Sequence, residues 1–486
     1  MKQVQLFLLV ALMSISSSVF AAVGDPGFGG GTGTSDDPWQ IKTATHLNNM
    51  RENLTTERDV LKYFKLMNDI DLADISATNN WTILTKDGAW MEFDGNNFVI
   101  KNLHMENVPD NYQSLFGVHW GLIKNLGLVN VYINCPAGGS VGAFAGSLGS
   151  TTPGTRAFRV GMIENCFATG YISGGAGSVG GLVGAMGRAS DRETATYIKN
   201  SYFSGELYNT YGNTSLTVRT GGIAGMINAN TVEANNIAIA IENCYATGYF
   251  HAKKGRIGGI VGETELTIRN SVSYADLEDE GNTEPNSIGL IAGWCNNSGT
   301  VQWGKVENCW VYSGATMKRN GEVVVPSYFT TPAIEAAEAP VDGELKDAAY
   351  LSSAINYYSV LDFSMAGETA IWSQQLRNGA YPQLVWVASR PDAESIDGLS
   401  NGLGSTGFAT PMSKSTPNVF ALGNVLVFEN INERYQVAVY DSKGSLLKSF
   451  EQQESGASIV MPNSNILFVK MTNASGASYS QKVLVK

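Results

Sequence analysis

From residue 141 to residue 312 short apolar runs alternate with glycine and asparagine at recurring positions. One run returns as Val141-Gly-Ala-Phe-Ala-Gly146, Val179-Gly-Gly-Leu-Val-Gly184, Thr220-Gly-Gly-Ile-Ala-Gly225, Ile257-Gly-Gly-Ile-Val-Gly262 and Ile288-Gly-Leu-Ile-Ala-Gly293. A second interleaves with it: Ile163-Glu-Asn-Cys166, Ile198-Lys-Asn-Ser201, Ile241-Glu-Asn-Cys244, Ile268-Arg-Asn-Ser271 and Val306-Glu-Asn-Cys309. Apolar strands of this length, bounded by turn residues and repeated every 27 to 43 residues, predict stacked units that bury their faces on one another, a β-solenoid. Asparagine at a fixed position suits a corner, because it tolerates left-handed backbone.

The columns of the second motif carry further expectations. Its last position reads Cys, Ser, Cys, Ser, Cys. With copies stacked about 4.8 Å apart, like cysteines lie about 10 Å apart, beyond the roughly 4.4–6.8 Å Cα separation of a disulfide. Cys166, Cys244 and Cys309, with Cys135 and Cys295 elsewhere, therefore read as small core residues without redox or metal roles. The position before Asn alternates in sign: Glu164, Lys199, Glu242, Arg269, Glu307. Stacked neighbours would then pair opposite charges, and a slip by one copy would set like charges together. Glutamates so paired stay ionised, which is the wrong environment for a general acid.

Length and composition narrow the picture. A chain of 486 residues exceeds the roughly 250–300 residues a single core supports. Its 54 glycines favour a turn-rich β protein, and 32 basic against 44 acidic residues argue against a general nucleic-acid binder. Residues 1–22 have the charged start, short apolar run and small-residue site of a secretory signal peptide, so export to the cell surface or medium is expected, and no later stretch is apolar enough for a transmembrane helix. Residues 389–417 are rich in Ser, Thr, Gly and Pro and read as a flexible linker. Residues 418–486 carry six basic and five acidic residues and strand-like runs at 424–428, 435–440, 466–470 and 481–486, with a turn at Asp441-Ser-Lys-Gly444, as in a small β-sandwich. The expected plan is thus all-β: signal peptide 1–22, β-solenoid 23–388, linker 389–417 and β-sandwich 418–486.

Catalytic patterns fail on context. Gly138-Gly-Ser-Val-Gly142 and Gly398-Leu-Ser-Asn-Gly402 match a hydrolase elbow but fall in a repeat turn and the linker. Gly175-Ala-Gly-Ser-Val-Gly180 lacks the helix a dinucleotide fingerprint requires. The four histidines, His46, His104, His119 and His251, form no His-Glu-x-x-His motif. Asp276, Glu278, Asp279, Glu280 and Glu284 match no calcium loop and read as a solvated acidic loop. Trp294, Trp303 and Trp310 sit at repeat motifs, where packing is their expected role. No catalytic, cofactor or metal residues are assigned. Insertions at 147–162, 188–196, 208–218 and 228–238 are expected to cluster on a binding face.

The two repeated motifs resemble those of the GLUG family of secreted and surface bacterial proteins. Gly33-Thr-Ser-Asp-Asp-Pro-Trp-Gln-Ile41, Tyr63-Phe-Lys-Leu-Met-Asn-Asp-Ile-Asp-Leu72 and Phe93-Asp-Gly-Asn-Asn-Phe-Val-Ile-Lys-Asn-Leu103 resemble the lead-in to its fold, and Ile371-Trp-Ser-Gln-Gln-Leu-Arg-Asn-Gly-Ala-Tyr-Pro-Gln-Leu384 its closing segment. The resemblance implies a right-handed parallel β-helix; the zinc-peptidase activity of some proteins carrying such segments does not transfer without the zinc motif. Tyr435 through Gly444 and Lys482-Val-Leu-Val-Lys486 are similar to the C-terminal sorting domain of type IX (Por) secretion cargo, although Pro462-Asn-Ser-Asn-Ile-Leu-Phe468 lacks the glycine and tyrosine usual there. That similarity implies type IX machinery as a partner. The expected function is non-catalytic and adhesin-like, binding a glycan or protein through solenoid loops. The alternative is a polysaccharide lyase or glycosidase working in the β-helix groove, which would need two carboxylates free of cations facing one groove; none is expected.

Overall fold

Successive copies of the two motifs fold into corresponding strands in the same order, and like strands pair in parallel from copy to copy. The protein is seen in a computed structural model that describes residues 27–56, 60–73, 80–108, 111–149, 159–175, 177–187, 196–211, 218–228, 239–281, 288–295, 305–326, 339–361 and 370–399. In the C-terminal part it describes 418–422, 425–429, 434–441, 443, 445–452, 458–460, 466–473 and 478–484. The expected signal peptide at 1–22 lies outside the described residues.

Four ladders run through the repeats. The first stacks Gly161–Glu164, Tyr197–Lys199, Ile239–Glu242, Thr267–Arg269 and Val306–Glu307. The second stacks Phe167–Gly174, Tyr202–Asn209 and Tyr245–Ala252, followed by Val272–Ser273 with Asp276–Asp279. The third is Ser178–Gly180, Arg219–Gly221, Arg256–Gly258 and Ile288–Gly289. The fourth is Ala145–Leu148, Val183–Met186, Ala224–Ile227, Val261–Thr264 and Ala292–Cys295. The chain is therefore all-β around a large parallel sheet. Side chains from all four ladders enter one apolar core, in which Ile163, Ile198, Ile241, Phe203, Phe250, Leu182, Ile223 and Ile260 are fully buried.

Asparagine and glycine make the corners. Asn165, Asn200, Asn243, Asn270 and Asn308 have φ between 48° and 54°, the left-handed geometry the repeat requires. Their amides bond along the stack, with Asn243 Nδ2 donating to Asn200 Oδ1 at 3.2 Å and Asn308 Nδ2 to Asn270 Oδ1 at 2.8 Å. Within the second ladder the strand bends at Gly248, whose φ is 129° and where a Cβ would meet the Gly205 carbonyl oxygen at 1.7 Å. No other residue fits that position. After the bend Tyr249 and His251 lie on the outer face of the strand while Phe250 is fully buried.

The stack is closed at both ends. Helix Ala44–Thr56 buries Leu47, Met50 and Leu54, an element that the repeat pattern did not announce. At the other end Ala339–Val341 pairs antiparallel with Ala292–Cys295, which interrupts the parallel progression and blunts the edge.

Residues 347–361 and 370–399 pack against the outside of the stack. Leu351, Tyr357, Trp372, Leu384 and Ile396 cover an outward aromatic row in which Phe167, Tyr202 and Tyr245 stack with centroids 5.0 and 4.7 Å apart. Trp386 Nε1 donates to the Asn165 carbonyl at 3.1 Å, Ser204 Oγ to that of Gly398 at 2.7 Å, and Arg390 pairs with Asp69 at 2.6 Å. The expected linker therefore does not begin at 389. Residues 389–399 are packed because Ile396 and Leu399 are buried and Arg377 and Gln383 bind the buried Asp397. The rest of the expected linker, 400–417, lies outside the described residues.

The C-terminal unit, 407–486, has a three-stranded antiparallel sheet (Asn418–Leu422, Val425–Glu429, Ser458–Val460) and a four-stranded one (Leu446–Gln452, Tyr435–Tyr440, Ile466–Asn473, Ser478–Leu484). Both sheets contribute to one core, with Val419, Leu426 and Phe428 from the first and Val437, Val439, Val469 and Met471 from the second. Asp441 accepts hydrogen bonds from the backbone amides of Lys443 and Ser445, both at 2.8 Å, at the expected turn.

Candidate functional site

The charge column extends beyond the five motif copies. Register runs Lys65, Asp94, Lys124, Glu164, Lys199, Glu242, Arg269, Glu307, alternating in sign at every step. Glu242, only 8% exposed, is held between Lys199 and Arg269. Burial opposes its charge, but hydrogen bonds from those two cations outweigh that and hold the carboxyl below its ordinary range. The column thus sets its acids beside cations on adjacent rungs. In and beside the cysteine column all five cysteines are free and buried. Cys166, Cys244 and Cys309 point Sγ at the carbonyl two residues back, as Ser201 and Ser271 do with Oγ. Burial pushes the Cys244, Cys295 and Cys309 thiols up to about 12.

The acidic residues at 276–280 correct an expectation. Asp276–Asp279 is a strand paired with Tyr249–Ala252 on one side and with Met317–Arg319 on the other, not a solvated loop. Its alternation buries Leu277 and Asp279 and turns Asp276 and Glu278 outward. Glu284 lies outside the described residues.

That strand completes a face that motif searching missed. Beyond the glycine bend, one outer row of the second ladder reads Tyr132, Tyr171, Glu206, Tyr249, Asp276, and the next reads Asn134, Ser173, Tyr208, His251, Glu278. Tyr132 and Tyr171 stack at 5.5 Å, Tyr171 and Tyr208 lie at 5.3 Å, and Tyr208 meets Tyr249 edge-on at 5.9 Å. Tyr208 donates to Glu206 at 3.2 Å and Tyr249 to Glu278 at 2.6 Å, while His251 Nε2 lies 3.0 Å from Glu280. Burial pushes the Glu206 carboxyl up to about 7, against the opposing hydrogen bond from Tyr208. Burial, followed by the bond to Glu278, likewise raises the Tyr249 hydroxyl. The face thus offers ring edges, hydroxyls and carboxyls on successive rungs about 4.8 Å apart. A signal for it exists in the sequence: Gly170-Tyr-Ile-Ser173, Gly205-Glu-Leu-Tyr208 and Gly248-Tyr-Phe-His251 carry polar or aromatic residues one and three places after the bend.

Other candidates separate. His46 accepts from the Lys42 amide beside the capping helix, His104 stacks on Tyr132, and His119 is fully buried, its pKa pushed down to about 3 by that burial. Trp310 is buried under Tyr350 and Tyr357, the packing role expected, and Arg256 lies over Trp294 at 4.3 Å; Trp303 lies outside the described residues. Insertions at 147–162, 188–196 and 228–238 each follow a strand of the fourth ladder, so their anchor points share one edge of the stack, whereas 208–218 leaves the second ladder. Among the described residues no cluster of His, Cys, Asp and Glu is suited to a metal ion, and no helix is long and apolar enough to cross a membrane.

No family model matches the chain. A protein of Evansella cellulosilytica named "Putative Gly-rich membrane protein" is 30% identical over 148 residues, which is 28% of this chain and 17% of that protein. The chain thus spans less than a fifth of that relative's length. A crystal structure described as that of "a putative immunoglobulin A1 protease from Bacteroides ovatus" is similar with a TM-score of 0.57 and 28% identity, over 74% of this chain and 95% of that one.

Proposed function

We propose that the chain is an exported, non-catalytic binding protein of GLUG type. Its parallel stack is a right-handed β-helix, and its tyrosine–carboxyl face, lined by Tyr171, Glu206, Tyr208, Tyr249, His251 and Glu278, engages a glycan. The observation that carries this reading is the face itself. Aromatic edges and hydroxyl–carboxyl pairs repeat on successive rungs, as an extended polar polymer requires, with rigid ladder strands holding each group in place. Export by the leader at 1–22 and recognition of the C-terminal sandwich by type IX machinery complete the proposal. The similarity to the Bacteroides ovatus protein supports the stack; the peptidase activity in that protein's description is not proposed here, since this chain has no His-Glu-x-x-His and all five thiols are buried.

One observation favours a second reading. Glu206 has no cation within ion-pair distance among the described residues, and its raised pKa suits a general acid, as a glycoside-cleaving enzyme would need. A glycan-array screen of the full chain, followed by a reducing-end assay on each ligand found, tests both. Binding without product supports the first reading, product formation replaces it with the second, and the absence of any ligand rejects the glycan reading.

A further inference from the structure

The stack answers its carboxylates with cations. In the first ladder each acid has Lys or Arg on an adjacent rung, Glu263 lies between Arg219 and Arg256, and Asp397 is held by Arg377. Glu206 is treated differently. Its ladder neighbours are the aromatic residues Tyr171 and Tyr249, and among the described residues no cation comes within ion-pair distance. Glu278, two rungs on, has Lys318 as its register partner. On the same face His251 is only 9% exposed, packs on Tyr208 at 5.4 Å and keeps its Nδ1 without a hydrogen-bond partner. A half-buried carboxyl flanked by rings is destabilised as an anion until a cation arrives, and a carboxylate so placed attracts an ammonium group.

We propose that the Tyr171–Glu206–Tyr249 row seats the ammonium group of an amino-sugar residue within a glycan chain, an inference that rests on the glycan-binding reading of this face. A glycan suits the spacing better than a basic peptide. An extended peptide lying along a row places same-side groups about 6.6 Å apart, out of step with neighbouring members of the row about 4.8 Å apart. The Tyr208–Glu206 and Tyr249–Glu278 pairs supply donors and acceptors for sugar hydroxyls beside the charged site. The raised carboxyl of Glu206 is consistent with a group awaiting a counter-charge.

Calorimetric titration of the full chain at neutral pH tests this with three probes: a fully deacetylated chitosan tetrasaccharide, its N-acetylated counterpart and tetralysine. The deacetylated sugar is expected to bind about tenfold more tightly than the acetylated one, and Glu206→Gln to remove that preference. The exposed Glu322→Gln is expected to leave it unchanged. Circular dichroism confirms that each variant is folded. Equal binding of both sugars, or a preference that survives Glu206→Gln, overturns the ammonium site but leaves the glycan face standing. Binding of tetralysine alone overturns it in favour of a basic peptide. Failure of both sugars to bind rejects the inference, and if the array is also blank, the glycan reading with it.

Discussion

Lys199 Nζ lies 3.1 Å from Glu242 Oε2, and Arg269 on the following rung donates its Nε to the other oxygen of the same carboxylate at 2.9 Å. A glutamate that is almost buried is thereby neutralised from both sides along the stack, and the alternation continues from Lys65 to Glu307. A one-copy slip would place like charges in contact along the whole column, so the column opposes mispairing as well as contributing to stability. Lys199→Glu would stack three acids in succession. It is expected to cost about 1–2 kcal/mol, with a lower melting temperature at low salt and partial recovery at high salt. An unchanged melting temperature at low ionic strength would show that the column is decorative.

The same carboxylate predicts an acid limit. Because the folded pKa of Glu242 is lowered, the folded state binds fewer protons than the unfolded chain as pH falls through the ordinary range. Its contribution is therefore complete above about pH 4.5 and is lost as pH falls through the lowered folded value. Arg269→Met is expected to weaken the protein at neutral pH and to flatten the acid side of its stability curve. An acid limb of unaltered slope would assign acid unfolding to other groups.

The fold was legible where local chemistry repeats. Asn165, Asn200 and their equivalents, the Ile column and the Cys/Ser column were readable because each rung poses the same steric problem and receives the same residue. The corner φ values and the thiol contacts follow from that. What stayed hidden lacks a repeat. Helix Ala44–Thr56 occurs once, and 389–399 has the Ser- and Asp-rich composition of a linker while Ile396 and Leu399 are pinned by a surface that only the assembled stack provides. The outer face was obscured because Tyr171, Glu206 and Tyr249 differ in chemistry, although register places them side by side.

All five cysteines are expected to be inert in the folded chain. Burial disfavours the thiolate that alkylating reagents require, and each of Cys166, Cys244 and Cys309 is also engaged with a backbone carbonyl. Alkylation without reductant should label none of the five in the native protein and all of them after unfolding. Fewer than five after unfolding would reveal a disulfide that the stacking order forbids.

Glu206 predicts the opposite pH behaviour from Glu242. Its carboxyl titrates at about 7 in the folded chain and near 4.3 when unfolded. Between those values the folded state holds the extra proton, so stability falls as pH rises through this window. Glu206→Gln keeps the neutral form at every pH. It is therefore expected to raise stability above neutrality by ~1 kcal/mol, a figure discounted because water reaches this half-exposed group, and to change nothing near pH 4. A variant no more stable than the parent at pH 8 would mean that water or a counter-ion already relieves the carboxyl.

The C-terminal unit predicts a separation of folding from export. Its core is built from residues of its own two sheets, so removal of 407–486 is expected to leave the melting temperature of the stack unchanged. In the proposed function the leader at 1–22 serves passage across the inner membrane alone, and a Gram-negative host would need a second address to place the chain outside. With the sandwich as that address, the truncated protein is expected to accumulate, folded, in the periplasm. Fractionation of the host decides between the possibilities: surface display of the truncated chain at the parent's level would make the sandwich a binding or capping module, and the sorting assignment would be withdrawn.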